Sequence, residues 1–113
     1  MALVVYTNQS KHIITYADSP DSFDELGRPD ISFIHSVIES NEIESIYDED
    51  PAVLILIDGI QYSLLLCDQA ASIKRLPINI FATKLAVDMK IIDSMDTIRG
   101  TVIFIELSEL SEN

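Results

Sequence analysis

Residues 52–67 read AVLILIDGIQYSLLLC, two apolar runs joined by Asp58-Gly59. Asp-Gly between apolar runs favours a type I′ turn, because both central positions need positive φ, and the runs then pair as a tight β-hairpin. Both strands are apolar at nearly every position. A strand with one solvated face alternates apolar with polar, so continuous apolarity predicts that both faces are covered and that this hairpin sits near the middle of a sheet.

Toward the N-terminus, Ala2–Thr7 and His12–Ala17 are rich in β-branched and aromatic residues and flank the polar Asn8 to Lys11, which predicts a second hairpin. Ser19 as N-cap, Pro20 in the first turn and Gly27 as a stop predict a short helix over Pro20–Leu26. Asp30 is placed to cap a helix over Ile31–Ser40, where Ile31, Ile34 and Ile38 form an apolar stripe that Phe33 and Val37 widen. Glu42–Tyr47 alternates acidic with apolar residues and fits either a short edge strand or a helix extension. Beyond the apolar hairpin, Asp68 is placed to cap a short helix over Gln69–Arg75 that Pro77 ends. Asn79 is placed to cap another, with Phe81, Leu85, Met89 and Ile92 on one side and Lys84, Asp88 and Lys90 away from it. A strand reading of residues 82–92 competes, since Val87, Met89 and Ile91 also alternate. Gly100 precedes a final strand over Thr101–Leu107, and Ser108–Asn113 is a polar tail expected to fray. The expected order is ββααββααβ. That is an α+β fold, a mostly antiparallel sheet of about five strands with two or three helices packed against it.

A chain of 113 residues closes one hydrophobic core, so residues 1–113 are expected to form a single domain with no room for a separate catalytic one. Its 48% apolar content excludes an intrinsically disordered chain. The formal charge of −12 opposes binding to a bare nucleic-acid backbone or an anionic membrane. The longest wholly apolar runs, Ala52–Ile57 and Leu64–Cys67, fall far short of the roughly 20 residues a membrane span needs. No basic residue precedes the first apolar stretch, so no secretory signal is expected and the chain is expected to be cytoplasmic. Cys67 is the only cysteine. It rules out an internal disulfide and a thiolate metal cage, and after three leucines it reads as a small buried hydrophobe.

Catalytic signatures are missing. Gly27, Gly59 and Gly100 are isolated, which leaves no phosphate-cradling loop. His12 and His35 have no metal-ligand spacing to one another or to Cys67, and no partner positions either as a general base. His12 is expected to face solvent and His35 to be a half-exposed structural residue. Asp93 with Asp96, and Asp21 with Asp24 and Glu25, are spaced for one helical face, but among so many acids such pairs read first as solvated surface. Asp48-Glu49-Asp50 is a run rather than the alternation of a calcium loop, and Pro51 stands where a flexible glycine is expected. The chain therefore reads as a non-enzyme without cofactor or metal.

The charge is concentrated. Residues 1–17 carry +1 and residues 51–113 carry −3, while residues 18–50 hold eleven acids against Arg28 alone, a net −10. Such crowding costs a few tenths of a kcal/mol per like-charged helical pair, and acids after a helix oppose its dipole. One reading is a solubility surface. The other is a docking surface for a basic protein, where complementary potential raises the on-rate and fixes register. On that reading the contact residues are Asp21, Asp24, Glu25, Glu39, Glu42, Glu44, Asp48, Glu49 and Asp50, with Tyr47 as a central aromatic contact. Phe23, Leu26, Phe33, Ile43 and Ile46, interleaved with the acids, are candidates for apolar anchors or for core packing.

By size, acidity and lack of catalytic residues, the chain resembles bacterial toxin-immunity proteins of the contact-dependent growth inhibition type. The resemblance covers the whole chain as a class and rests on no motif. It implies a protein that neutralises a basic toxin, most often a nuclease, by occluding its substrate cleft with acids standing where phosphates would bind. Two other readings stay open: a phage-encoded nucleic-acid mimic that inhibits a host defence nuclease, and a structural subunit whose apolar hairpin extends a sheet across a homodimer.

Overall fold

The computed structural model describes residues 2–15, 17–24, 29–45 and 55–106. Its elements follow in the order β1 (Ala2–Val5), β2 (Lys11–Ile14), α1 (Ile31–Ile38), β3 (Ile43–Ser45), β4 (Ile55–Ile57), β5 (Ile60–Asp68), α2 (Ile80–Asp88) and β6 (Val102–Glu106), with a 3-10 turn at Pro20–Ser22. Every strand pairing is antiparallel. The strands lie in the order β2-β1-β6-β5-β3, and β4 pairs with β5 off that path. This is the α+β architecture the sequence implies.

The hairpin turns form for local reasons. Asp58 and Gly59 both take positive φ, 51° and 83°, and join β4 to β5 as a type I′ turn would. Between β1 and β2, Gln9 takes φ 71° and the Asn8 side chain accepts the Ser10 N–H at 2.9 Å, so a polar residue closes the loop.

Packing follows the strand alternation. Leu3, Val5, Val102 and Phe104 face α2, while Ala2, Val4, Ile103 and Ile105 face α1. A register shift between Tyr62 and Leu64 inserts an extra residue in β5 opposite β6. The bulge resets the alternation, so Tyr62 joins Leu65 and Cys67 on the α2 face. There Phe104 lies edge-on to both Tyr62 and Phe81, with centroids 6.0 and 6.4 Å apart. Lys11 Nζ sits 4.3 Å above the Phe81 ring, linking β2 to α2.

Several expectations are corrected. The apolar hairpin is only half interior: β5 is flanked by β6 on one side and by β3 and β4 on the other, whereas Leu56 of β4 is 58% exposed; Ala52–Leu54 of the expected first strand lie outside the described residues. The expected helix over Gln69–Arg75 is a series of turns, with hydrogen bonds spanning three, four and five residues and Arg75 at φ 56°. Of its apolar residues, Ala71 is buried but Ile73 is 85% exposed, so no apolar face exists to stabilise a helix. Of the helix expected over Pro20–Leu26, Pro20–Ser22 forms a 3-10 turn that the extended Phe23 ends, and Glu25 and Leu26 lie outside the described residues. Asp30 holds the N-cap position of α1 without a side-chain cap bond. Glu42–Tyr47 contributes the edge strand β3, and the competing readings of residues 82–92 resolve to α2, which ends at Asp88.

Asn79 ties three elements together. Its Nδ2 donates to Val5 O at 3.0 Å and to Gly100 O at 2.9 Å, and its Oδ1 accepts the Ala82 N–H at 3.1 Å, all fully buried. The end of β1, the approach to β6 and the first turn of α2 thus share one side chain. Gly100, at φ 82°, passes so close to Leu76 that an added Cβ would lie 2.8 Å from its Cδ1. Replacing Asn79 by alanine orphans two buried carbonyls and an N-cap, and should cost about 2–4 kcal/mol in urea denaturation. Asn79→Ser keeps a capping oxygen and should recover only part of that loss.

Candidate functional site

The C-terminal end of α1 sets up the acidic edge. Glu39 takes the left-handed conformation, φ 61° and ψ 40°, and its N–H and that of Ser40 both reach His35 O. This is the position where helices usually place glycine. Ser40 Oγ accepts the Glu42 N–H at 3.0 Å, and Glu42 O accepts the Gln69 N–H at 2.9 Å, which turns the chain into β3. In β3, Ile43 stands opposite Asp68, Glu44 opposite Cys67 and Ser45 opposite Leu66. Ile43 packs toward the α1 core, and Glu39, Glu42 and Glu44 are exposed. The Ser45 hydroxyl is buried with no hydrogen-bond partner among the described residues.

Three of the ten expected contact residues, Glu39, Glu42 and Glu44, therefore follow one another from the α1 C-cap through the connection into the edge strand β3. Asp21, exposed, and Asp24, half-buried, belong to a separate stretch at the Pro20–Ser22 turn between β2 and α1. Glu25, Tyr47, Asp48, Glu49 and Asp50 lie outside the described residues, as do Leu26 and Ile46. The apolar anchors Phe23, Phe33 and Ile43 are core residues: Phe23 is buried, and the other two pack against the same cluster beneath α1. Asp93 and Asp96 share no helical face, because α2 has ended and the Asp96 N–H bonds to Asp93 O in a turn. His12 is exposed on β2 and His35 half-buried on α1. Among the described residues no group of three or more histidine, cysteine or acidic side chains is placed to hold a metal ion, and no helix is long and apolar enough to cross a membrane.

Neither a protein-family model, nor a curated protein, nor a solved structure matches this chain.

Beneath the edge lies a residue whose role sequence reasoning read too simply. Asp68 is 3% exposed, and besides accepting the Ala70 N–H through Oδ1 it pairs through Oδ2 with Lys74 Nζ at 2.6 Å. Burial pushes its pKa up, but the hydrogen bonds from Lys74, the Ala70 N–H and the Ser40 hydroxyl, together with the Lys74 charge, outweigh burial and hold it below the usual carboxylate range. An acid ending an otherwise apolar strand was the sequence signal for this. Next to it, burial, aided by the charges of Glu44 and Asp68, pushes the Cys67 thiol up to about 12, so it is an inert apolar group and not a nucleophile.

A carboxylate whose folded pKa lies below its unfolded value of about 3.9 stabilises the protein above that pH, and the contribution is lost as pH falls through the folded pKa. Asp68→Asn should therefore flatten the loss of stability below about pH 4, and Lys74→Met should cost about 1–2 kcal/mol at pH 7, half-exposed as the lysine is. Urea titrations across pH measure both. Glu39→Gly relieves the left-handed backbone and should raise stability by about 0.5–1 kcal/mol, read from the same denaturation curves.

Proposed function

We propose that this chain is a non-enzymatic binding protein that docks a basic protein through its acidic stretch, residues 18–50. The partner is a toxin, most plausibly in chemical terms a nuclease, because a cleft that binds phosphates is the natural complement of ordered carboxylates. Occlusion of that cleft is how an immunity protein would act. The observation carrying this reading is the exposed set Glu39, Glu42 and Glu44, which runs from the end of α1 into the edge strand β3, with Glu39 held in a backbone conformation that favours glycine. An acid kept there at a local cost in stability fits a use other than folding. The same stretch offers a backbone of fixed direction, so little backbone entropy is left to lose on binding, while each exposed glutamate side chain still has to be ordered.

The test begins with a pull-down using the product of a neighbouring gene, followed by stopped-flow association at low and high salt. A basic protein should be retained at low salt. Changing Glu39, Glu42 and Glu44 to glutamine, or Asp48, Glu49 and Asp50 to Asn, Gln and Asn, should slow association about tenfold or more at low salt while barely moving the melting temperature. Recovery of no basic protein at low salt sinks the proposal. A loss of several kcal/mol of stability with binding intact would make the acids structural.

A further inference from the structure

A cleft of about 90 Å³ opens where β3, the end of β5 and the chain before β6 meet, and Glu44 and Arg99 both line it. Its remaining walls include the hydroxyl-bearing Ser72 and Thr97, over the buried Cys67 and Ile98. The two charges are opposite, yet no ion pair joins them, so their charged atoms stand more than 4.0 Å apart. Arg99 is anchored by one hydrogen bond, Nη1 to Leu76 O at 2.9 Å, which fixes the guanidinium while leaving further N–H donors unspent. Glu44 has no cation within ion-pair distance among the described residues. The other carboxylate in the wall, Asp68, is already committed to Lys74.

We propose that this cleft binds a small zwitterion of the size of a simple α-amino acid, with Glu44 receiving the ammonium group and Arg99 the carboxylate. Separated and unjoined charges of opposite sign suit a ligand that carries both, since a lone cation would meet Arg99 and a lone anion would meet Glu44. The ligand's carboxylate takes N–H donors that the Leu76 O bond leaves free on the guanidinium, a group able to bind a carboxylate through two donors at once. Ser72 and Thr97 can donate to the carboxylate or accept from the ammonium group. The volume limits the buried part of the ligand to a few heavy atoms, enough for the amino-acid core, while a longer side chain points outward. This site does not depend on the protein-docking role, although Glu44 belongs to both.

The test needs no protein partner. Uniformly ¹⁵N-labelled protein is titrated with glycine and, separately at matched ionic strength, with methylammonium chloride and with sodium acetate. Glycine should shift the amide resonances of Ser72, Thr97 and Ile98 saturably, with a dissociation constant in the millimolar range, while the two half-ligands produce only weak, unsaturated changes. Glu44→Gln and Arg99→Gln should each weaken glycine binding about tenfold or more. Melting temperatures confirm that each variant is folded, and Glu44, being exposed, supplies the decisive variant if Arg99→Gln unfolds. The proposal is overturned if glycine gives no saturable shift, if its shifts equal those of the two half-ligands combined, or if Glu44→Gln binds glycine as the parent does.

Discussion

Val102, Ile103, Phe104 and Ile105 are four consecutive buried residues of β6, and a strand buried on both faces forces a packing layer on each side of its sheet. β1 shows the same pattern through Ala2, Leu3, Val4 and Val5. One helix must therefore cover each face, and α1 and α2 do so with separate clusters. Each large aliphatic or aromatic side chain buried in this way contributes about 1.5–3 kcal/mol, against a few tenths for each like-charged pair at helical spacing. The two-sided core thus outweighs the repulsion within an acidic segment, provided that the acids stay at the rim.

That proviso shapes the acidic edge. An uncompensated carboxylate is costly inside a sheet covered on both faces, and the one buried among the described residues, Asp68, is matched by Lys74 and by two further donors. Glu44 stands instead on β3 and Glu42 just before it, and β3 pairs with β5 at the end of the strand order. The chain reaches β3 through a left-handed Glu39 and the Ser40 hydroxyl, so the display of these acids is set by backbone geometry as much as by charge. Across the molecule, Asn79 performs the complementary task, satisfying buried backbone groups where β1, β6 and α2 converge.

Much of this was legible in the residues. Asp58-Gly59 specified its turn, because few other pairs accept positive φ twice, and Asn79 was recognisable as a cap. What local pattern missed were effects of long-range pairing. Nothing within Ala52–Cys67 reveals that β3 and β4 share one edge of β5, or that a bulge moves Tyr62 to the α2 face. The helix expected over Gln69–Arg75 failed for a related reason: the Asp68–Lys74 pair and the exposed Ile73 oppose a helical stripe that propensity alone would allow. The carbonyl contacts of Asn79, from residues 74 and 21 positions away in sequence, were equally invisible. Of the site, the exposed acids near α1 were legible as charge, whereas the cleft lined by Glu44 and Arg99 depends on β3 and the chain before β6 being brought together.

Residue-resolved hydrogen exchange under native conditions tests the central claim most directly, that a two-sided apolar sheet carries the stability while the acidic edge contributes little to it. Amides of Leu3, Val4, Ile103 and Phe104 should exchange only through global unfolding, at the free energy found by denaturation, while those of Ile43 to Ser45 should open locally at clearly lower free energy. Equal protection of β3 and β6 would contradict the account, since the edge would then be part of the cooperative core and its acids part of what holds the fold together.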